Sequence, residues 1–484
     1  MKTADQLAVD GPIRRVLVAN RGEIAVRIIR TLRRLGIESV LAVSAADRNS
    51  MGARLADRAV CIGPARATDS YLRIGTLIEA ARGVGAQAIH PGYGFLSERA
   101  EFAAACEENG LIFIGPTAEQ IERVGNKLEA RRCAEQAEVP IAPGGQVDNL
   151  PAALEMAEQI GYPVLIKAVG GGGGRGLKRA NTPAELSALF DLASSEALAA
   201  FGDGRVYVEC FVTQGRHVEV QILGDGQSVI HLGDRDCSVQ RRYQKLVEEA
   251  PAPHLSDVMR RDLHAAAVRF SKHINYRSLG TIEFLVDVAR QQFYFLEMNA
   301  RIQVEHPVTE QITGLDLVAE QIIVAQGHAL RMKQADVRLT GHAIECRINA
   351  EDPTQDFRPA PGRLSTAHFP AWTDLRVDTH METGAMIPPY YDSMIAKVIA
   401  TGSDREHARR LLVSALADVR IDGVLTNIAL HRAVLATPEF IEGGFDTGFL
   451  GRFLAGSGAA IFGQSVTPPT AQASAPTASE GPRP

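Results

Sequence analysis

Polar and apolar residues alternate without a break from residue 297 to residue 305, which read Glu-Met-Asn-Ala-Arg-Ile-Gln-Val-Glu. Successive side chains of an extended strand point to opposite faces, so the pattern predicts one polar row about 26 Å long. The row would consist of Glu297, Asn299, Arg301, Gln303 and Glu305. Acids, amides and a guanidinium on one face favour a groove with a metal-bound group at one end and an acceptor further along. A strand that merely alternates with solvent is the alternative.

The first hundred residues show the pattern of a parallel α/β sheet. An apolar strand at 16–19 is followed by a helical apolar face over 24–35 and a second strand at 37–43. This βαβ opening predicts parallel strands. The turn after the first strand lacks G-x-G-x-x-G, so it does not indicate a dinucleotide site. A further strand at 88–90 runs into the glycine-rich loop 91–98, which is either a ligand loop or a tight βα turn.

The length of 484 residues predicts about three domains. Breaks in composition divide the chain into an N-terminal α/β domain at 1–125, a central domain at 126–335 and a C-terminal domain at 341–454. The tail, 455–484, is rich in Ala, Ser, Thr and Pro, and we expect it to be disordered because it cannot bury a core.

Composition excludes several classes of protein. The net charge of −6 argues against a nucleic-acid-binding protein. The six cysteines form no C-x-x-C pair, so neither a zinc site nor a disulfide framework is indicated. The N-terminus lacks the apolar region of a signal peptide, and no run approaches the roughly 18 apolar residues of a membrane span. We therefore expect a reduced, cytoplasmic protein without membrane contact.

A strand ending in Lys167 precedes five consecutive glycines, Gly170–Gly174, and then Arg175. Glycines allow backbone N–H groups to approach phosphate oxygens closely. The lysine precedes the glycines, so this is not a Walker A loop. The segment predicts a loop that folds over a phosphate held by the lysine, and a flexible linker is the alternative.

Two alternating segments, 281–287 and 293–299, predict the strands of a β-hairpin. Glu283 and Glu297 would then lie side by side, close to the side-chain carbonyl of Asn299. These hard oxygen ligands suit Mg²⁺, and two adjacent carboxylates repel each other unless a cation joins them. The alternative is that each acid forms a salt bridge elsewhere.

Two further segments are ambiguous from the residues alone. Polar and apolar residues alternate over 216–221, with His217 on the polar face. The segment has the H-x-E of zinc deaminases but lacks their P-C-x-x-C, so a zinc site is not indicated. Taken alone, it predicts a half-buried strand. Segment 235–245 is dense in cations inside an acidic chain. It predicts either an anion site or a solvated basic stripe.

Taken together, these motifs resemble the ATP-grasp ligases, and within them the biotin carboxylases. The resemblance covers about 12–450 and rests on ANRGEIAVRIIR, HPGYGFLSE, GYPVLIKAVGGGGGRG, RDCSVQRRYQKLVEEAPAP, LEMNARIQVEHPVTE, HAIECRINAEDP and YYDSMIAK. It implies an α/β fold of the ATP-grasp type. That fold has an N-terminal parallel α/β domain, a mobile glycine-rich lid subdomain, here at about 140–212 within the central domain, and a C-terminal α+β domain.

The resemblance also implies roles for individual residues. The nucleotide-binding set would be Lys127, Lys167, Gly173, Gly174, Glu209, Cys210, Phe211, Val212, His217, Glu283 and Glu297. The Mg²⁺ ligands would be Glu283, Glu297 and Asn299. The bicarbonate and biotin set would be Lys245, Arg301, Gln303, Val304 and Arg347. Glu305 would deprotonate bicarbonate, and its neighbour Arg301 would favour the ionised carboxylate. The catalytic residues would be Arg301, Glu305, Lys245 and Arg347.

The implied reaction is the ATP-dependent carboxylation of biotin by bicarbonate through carboxyphosphate, with two Mg²⁺ ions or Mn²⁺ in their place. It is the first half-reaction of acetyl-CoA carboxylase, and the implied partners are a biotin carboxyl carrier protein, carboxyltransferase subunits and a second copy of the chain. Alternatives are the same subunit in another acyl-CoA or 2-oxo acid carboxylase, another ATP-grasp carboxylate ligase, or a regulatory subunit without turnover.

The chain differs from the family in two features. It lacks the carrier domain of the fused carboxylases, and it has a tyrosine where many members have a histidine. No lysine lies in the Met-Lys-Met context of a biotinylated carrier domain, and Lys397, in MIAKV, does not fit it. We therefore expect the biotin on another polypeptide, unless the chain stops inside a linker. Tyr243 stands where the family often has histidine near the nucleotide; it keeps a donor but supplies no cation near neutral pH.

Overall fold

The computed structural model describes residues 11–168, 177–456 and 458. The predicted phosphate loop, including Gly173 and Gly174, lies outside the described residues. So does nearly all of the tail predicted to be disordered. None of the helices in the described part of the chain combines the length and the apolar character needed to cross a bilayer.

The N-terminal unit is a five-stranded parallel sheet in the order β3-β2-β1-β4-β5. Its elements are β1 Arg15–Val18, α1 Gly22–Arg34, β2 Glu38–Ser44, α2 Met51–Leu55, β3 Arg58–Gly63, α3 Ile74–Gly83, β4 Ala88–His90, α4 Ala100–Glu108, β5 Ile112–Phe113 and α5 Ala118–Gly125. Ile24, Ile28 and Leu32 of α1 are buried against the sheet. The predicted βαβ opening is confirmed to within two residues, and the strand at 88–90 is confirmed.

A second, smaller sheet has four strands in the order β6-β9-β7-β8. The elements around it are α6 Lys127–Gln136, β6 Gly144–Val147, α7 Leu150–Ile160, β7 Val164–Ala168, β8 Lys178–Ala180, α8 Pro183–Phe201 and β9 Val206–Cys210. Its strands and the helices α7 and α8 enclose a separate apolar cluster that includes Ala153, Ile166 and Val208. A sheet with its own core can move as a unit, as the predicted lid requires.

The largest sheet has eight antiparallel strands in the order β14-β13-β10-β11-β12-β15-β22-β20. Its first five strands and their helices are β10 Gly215–Asp225, β11 Val229–Arg241, β12 Gln244–Ala250, α9 Asp257–His273, β13 Arg277–Asp287, β14 Gln292–Asn299, α10 His306–Thr313 and α11 Leu317–Ala325. Strands β13 and β14 form the predicted hairpin. The buried face of α9 packs on β10 and β11 and contributes to the main core.

The C-terminal unit extends the same sheet. Its elements are β15 His342–Asn349, β16 Glu351–Asp352, β17 Arg358–Pro359, β18 Gly362–Arg363, β19 Thr366–His368, β20 Leu375–Thr379, β21 Met386–Ile387, β22 Met394–Gly402, α12 Arg405–Asp418, β23 Arg420–Asp422, α13 Ile428–Leu435, α14 Pro438–Glu442 and α15 Phe449–Ala455. Ile344, Cys346 and Ile348 of β15 point into an apolar core that also contains α12 and α13. Glu345 and Arg347 alternate with them and point to the opposite face.

The predicted nine-residue polar strand at 297–305 is wrong beyond Asn299. Strand β14 ends at Asn299, and residues 301–305 form a loop and a turn before α10 begins at His306. The turn closes because the backbone N–H and Nδ1 of His306 both bond the carbonyl of Gln303, at 3.3 and 2.7 Å. The polar side chains of the 301–305 turn therefore converge on one place instead of forming a row about 26 Å long.

Candidate active site

Lys245 of β12 is the centre of a buried cluster of charges. Its Nζ lies 2.5 Å from Glu219 Oε2, 2.9 Å from Glu283 Oε1 and 2.7 Å from Glu305 Oε1. These carboxylates come from β10, β13 and the 301–305 turn. Burial alone would lower the pKa of Lys245, but the three acids raise it well above its ordinary value. The ammonium thus remains charged and can hold an anion in a place from which water is largely excluded.

Glu305 is fully buried and lies between two cations. Lys245 contacts Oε1, and Nη2 of Arg347 donates to Oε2 at 2.8 Å. Burial alone would raise the pKa of Glu305, but Lys245 and Arg347, together with Arg235 behind them, hold it well below its ordinary value. The carboxylate is therefore ionised, as predicted from the sequence.

Arg301 was expected from the sequence to keep Glu305 ionised. In the structure its guanidinium donates instead to Glu98, Gln303 and Asn299. Its Nε donates to Glu98 Oε2 at 2.8 Å, its Nη1 to Gln303 Oε1 at 2.9 Å, and its Nη2 to Asn299 Oδ1. Glu98 comes from the glycine-rich loop after β4, and it also accepts the N–H of Ala300 at 3.2 Å. The N-terminal unit therefore orients the guanidinium from outside the large sheet.

Arg347 of β15 is held from both sides. Its Nε lies 2.6 Å from Glu248 Oε1, while its Nη2 reaches Glu305. Glu248 faces Glu345 directly across β12 and β15, and both carboxyl groups are fully buried. Burial raises the pKa of Glu248 to about 7, and Arg347 opposes that shift. The guanidinium keeps its charge because the surrounding acids raise its pKa further, and it borders the same space as Lys245.

Glu283 and Glu297 are direct cross-strand partners, as the predicted hairpin requires. Glu283 also bonds His217, with Nε2 3.0 Å from Oε2, and accepts from Gln303 Nε2 at 3.1 Å. Burial, and next the charge of Glu283, raise the pKa of Glu297. Such a like-charge pair is relieved by a cation between the two acids, and with the amide oxygen of Asn299 it offers the hard donors that Mg²⁺ takes.

Among the described residues, two groups of potential metal ligands have their donor atoms within 4.8 Å of one another. One is His217, Glu219 and Glu283, and the other is Glu219, Cys237 and Glu305. Glu297 belongs to neither group. Of the two predicted carboxylate ligands, Glu283 therefore lies inside such a group and Glu297 lies outside, and the ammonium of Lys245 contacts Glu283 within that group.

The predicted nucleotide residues lie where the four-stranded sheet faces this cluster. Lys167 Nζ contacts Glu209 Oε2 at 2.6 Å, and Lys167 is paired with Tyr207 across β7 and β9. Lys127 is the first residue of α6, and the neighbouring charge of Glu297 opposes the lowering of its pKa by burial. The charge of Lys167 also lowers the pKa of Lys127, so the two ammonium groups lie near each other.

The predicted adenine segment follows β9. The N–H groups of Cys210 and Phe211 donate to the carbonyls of Pro143 and Pro163 at 2.9 and 3.1 Å. Val212 is buried and packs with Ala142. These contacts fix the path of the segment next to Glu209.

Several residues of the site were not predicted as site residues. Glu219 and Arg235 lie on neighbouring strands, are both fully buried and form an ion pair at 2.5 Å. The basic segment 235–245 is therefore not a solvated stripe at its start, and 216–221 is buried on both faces rather than half-buried. The available signal was an acid in the predicted strand 216–221 and a base in the cation-rich segment 235–245, but alternation cannot show which face is buried.

Tyr243 lies at the turn between β11 and β12, with a φ of +66° and 59% of its surface exposed. Its neighbours Arg241 and Arg242 both pair with Asp356 of the C-terminal unit. In this structure the tyrosine is directed to solvent rather than into the cluster around Lys245.

Three protein families match consecutive parts of the chain. "Biotin carboxylase, N-terminal domain" matches 12–121, "Carbamoyl-phosphate synthase L chain, ATP binding domain" matches 126–333, and "Biotin carboxylase C-terminal domain" matches 345–452. A biotin carboxylase of Nostoc sp. is 51% identical over 439 residues, which are 90% of this chain and 98% of the relative.

Two solved structures are similar over almost the whole chain. A biotin carboxylase from Campylobacter jejuni, in complex with β,γ-ATP, has a TM-score of 0.87 and 43% identity and covers 91% of this chain and 99% of its own. The biotin carboxylase domain dimer of the Hydrogenobacter thermophilus 2-oxoglutarate carboxylase, with MgADP, ADP and bicarbonate, has a TM-score of 0.86 and 44% identity. It covers 92% of this chain and 98% of its own. This extent of identity, together with the ATP-grasp architecture, shows that the chain belongs to the biotin carboxylase family, the ATP-dependent ligases that carboxylate biotin.

Proposed function

We propose that this enzyme uses ATP and bicarbonate to carboxylate biotin on a separate carrier protein, as the first half-reaction of an acetyl-CoA carboxylase. The observation that carries the proposal is the buried Lys245, whose ammonium joins the acid of the metal pair, Glu283, to the acid expected to act as base, Glu305. A single cation between a phosphate site and a base suits a reaction in which bicarbonate attacks a phosphoryl group.

The bicarbonate site in this proposal consists of Lys245, Arg301, Gln303, the backbone of Val304 and the base Glu305. With a pKa well below its ordinary value, Glu305 is a poor base while Lys245 and Arg347 hold it. A bound bicarbonate anion would share those cations and so raise the pKa of the carboxylate towards that of an effective base. The substrate itself would thereby activate the group that deprotonates it.

The nucleotide site consists of Lys127, Lys167, His217, Glu209 and the following segment 210–212, with Gly173 and Gly174 of the phosphate loop. Glu283, Glu297 and Asn299 would hold the metal. A divalent metal held by these residues would supply charge neutralisation during phosphoryl transfer. Lys127 and Lys167 orient the phosphates, and Lys245 stabilises charge on the acceptor side.

The proposed reaction has two stages, the phosphorylation of bicarbonate and the carboxylation of biotin. Glu305 takes the proton of bicarbonate, whose oxygen attacks the γ-phosphorus of ATP, so that ADP leaves and carboxyphosphate forms. Carboxyphosphate then divides into CO₂ and phosphate. The phosphate takes the N1′ proton of biotin, and N1′ forms its new bond to CO₂, while Arg347 stabilises the negative charge on the ureido oxygen. Because carboxyphosphate hydrolyses, the lid must exclude water at this stage.

In this proposal the domains keep the boundaries predicted from the sequence. We assign 1–125 to an N-terminal domain, 126–335 to the ATP-grasp domain with a lid at about 140–212, and 341–454 to the C-terminal domain. The separate apolar core of the four-stranded sheet supports the lid. The dimer named for the Hydrogenobacter thermophilus relative supports a homodimer here.

A second candidate is the same half-reaction in a 2-oxo acid carboxylase. The observation in its favour is that the Hydrogenobacter thermophilus relative is the biotin carboxylase domain of a 2-oxoglutarate carboxylase and matches this chain as closely as the Campylobacter jejuni enzyme does. The acyl acceptor is chosen by a carboxyltransferase, so both candidates share every residue of the site discussed above. Acetyl-CoA carboxylase is preferred as the usual setting of a separate subunit.

The test is ADP release by the purified chain with Mg-ATP, with and without bicarbonate, and then with free biotin. Turnover that requires bicarbonate and rises with biotin is expected. Turnover indifferent to biotin would replace the proposal with another ATP-grasp ligase. The setting of the enzyme is tested by comparing two carriers as substrates at equal concentration, one from an acetyl-CoA carboxylase and one from a 2-oxo acid carboxylase. Faster carboxylation of the acetyl-CoA carboxylase carrier is expected, and faster carboxylation of the other carrier would favour the 2-oxo acid enzyme.

A further inference from the structure

Lys397 is a fully buried cation at the edge of the active site, and it belongs to none of the sets assigned above. It lies on β22, where it faces Arg347 of β15 on one side and Asp378 of β20 on the other. A lysine is seldom fully buried unless its charge is paired, because removing an ammonium from water is costly. Its partners therefore indicate what the residue is for.

The three partners of Lys397 come from three separate parts of the fold. Its Nζ lies 3.0 Å from Glu23 Oε1 on α1 of the N-terminal unit and 3.8 Å from Asp378 Oδ2 of the C-terminal unit. The third partner is the backbone carbonyl of Val304, to which Nζ donates at 2.8 Å. Burial alone would lower the pKa of Lys397, but Glu23 and Glu345 raise it, so it donates as a cation.

The carbonyl of Val304 belongs to the peptide unit that joins Val304 to Glu305. With this oxygen held by Lys397 and the carbonyl of Gln303 held by His306, two consecutive peptide planes of the 301–305 turn are fixed. The direction of the Glu305 side chain depends on both planes. Neither anchor touches the carboxylate, the guanidinium of Arg347 or the metal pair directly.

We propose that Lys397 is a positioning residue, which holds the Val304 carbonyl so that the Val304 backbone and Glu305 are both aimed at bicarbonate. This inference rests on the proposed function, in which Val304 and Glu305 form the bicarbonate site. It predicts that loss of the contact impairs the use of bicarbonate more than the use of ATP. A lysine that only stabilised the fold would lower thermal stability without that selectivity.

The variant must remove the hydrogen bond without leaving an unpaired buried acid, which would destabilise the fold by itself. Lys397→Met combined with Glu23→Gln achieves this. The glutamine is neutral and can still accept from Tyr93, the other partner of Glu23, and Asp378 keeps its ion pair with Arg376 at 2.8 Å. The matched control is Glu23→Gln alone, which removes the ion pair but leaves the bond from Lys397 to Val304. Steady-state KM values for bicarbonate and ATP, and the Tm, are measured for each protein.

The double variant is expected to raise the KM for bicarbonate on the order of 10- to 100-fold, the effect of one charged hydrogen bond. Its KM for ATP should stay within about twofold, and the control should lie much closer to wild type for both substrates. Unchanged KM for bicarbonate, or an equal rise for both substrates, would overturn the proposal. A wild-type enzyme whose ATP cleavage ignores bicarbonate would instead refute the proposed function, so the two failures are distinct.

If the methionine variant does not fold, Lys397→Gln with Glu23→Gln tests the same contact. Glutamine is polar but one atom shorter than lysine, so its amide stops short of the Val304 oxygen. The same selective rise in the KM for bicarbonate is expected. A KM equal to that of the Glu23→Gln control would count against Lys397 as a positioning residue.

Discussion

Glu283 and Glu297 face each other across β13 and β14, and they share neither their partners nor the direction of their pKa shifts. Lys245 and His217 contact Glu283 and, against the effect of burial, lower its pKa, whereas burial and the charge of Glu283 raise that of Glu297. One acid of the pair is thus already balanced by cations and the other is not. A bound divalent cation would therefore be stabilised more by the charge of Glu297 than by that of Glu283.

Glu297→Gln is therefore expected to raise the Mg²⁺ concentration needed for half-maximal activity by on the order of tenfold or more, because one charged oxygen ligand is lost. The measurement is ADP formation against Mg²⁺ at fixed ATP. Asp287→Asn, at the end of the same hairpin, is the matched control and should leave the midpoint in place. An unchanged midpoint in Glu297→Gln would remove Glu297 from the metal site.

Glu305→Gln is expected to lower bicarbonate-dependent turnover by on the order of 10²–10⁴, the usual contribution of a general base. Nucleotide affinity should be preserved, because in the described part of the chain Glu305 contacts Lys245 and Arg347 rather than Glu297. Equilibrium binding of ADP alongside turnover checks both points. A loss of nucleotide affinity instead would place Glu305 at the metal.

Arg301→Ala is expected to lower kcat by on the order of 10²–10³, since a preorganised cation would be lost from the place where charge develops. Glu98→Gln should have a smaller effect in the same direction, because the guanidinium keeps Gln303 and Asn299 as acceptors. Bicarbonate-dependent ADP release measures both variants. Wild-type turnover in Arg301→Ala would contradict its role, and a Glu98→Gln variant as slow as Arg301→Ala would show that Glu98 contributes more than orientation.

Acid should destabilise the fold through Glu310. Burial would raise its pKa, but Arg27 and Arg376, both 2.7 Å away, lower it to about 2. A depressed pKa in the folded state stabilises the fold above the unfolded value of about 4.3, and this stabilisation is lost as pH falls towards 2. The shift corresponds to about 3 kcal/mol.

Denaturant unfolding between pH 5 and pH 2 tests this effect in wild type and in Glu310→Gln. The variant is expected to be less stable at pH 5, where Arg27 and Arg376 each lose one carboxylate and keep Asp316 and Asp378 respectively, and to lose less stability on acidification than wild type. Parallel curves for the two proteins would show that Glu310 does not titrate in this range.

The parallel opening of the chain and the β13–β14 hairpin could be predicted because each depends on neighbouring residues. Apolar periodicity over 24–35 defines the buried face of α1, and a five-residue connection between two alternating segments leaves few registers. In the structure the hairpin closes with Asp287 opposite Gln292, one residue earlier than the predicted segments imply, and a bulge between Glu283 and Phe284 restores the predicted pairing of Glu283 with Glu297. The resemblance of the motifs was sufficient to predict the family.

The contacts that surround Glu305 could not be predicted in this way. Lys245 and Arg347 are 60 and 42 residues away along the chain, Glu98 reaches Arg301 across 203 residues, and Lys397 reaches Val304 across 93. These distances are bridged by the order of strands in the large sheet, where β12 and β15 become neighbours although about ninety residues separate them. Strand order results from the packing of whole faces, and periodicity within a segment carries no information about it.

The segment 297–305 shows the same limit within nine residues. Its alternation predicts that the polar side chains form a functional set, and it was wrong as a guide to their geometry. The bonds from His306 and Lys397 to the carbonyls of Gln303 and Val304 bend the chain into a turn. The sequence by itself thus determined which groups are present and which family they indicate. Only the tertiary structure decided their arrangement, because buried partners from three parts of the fold hold the backbone that carries them.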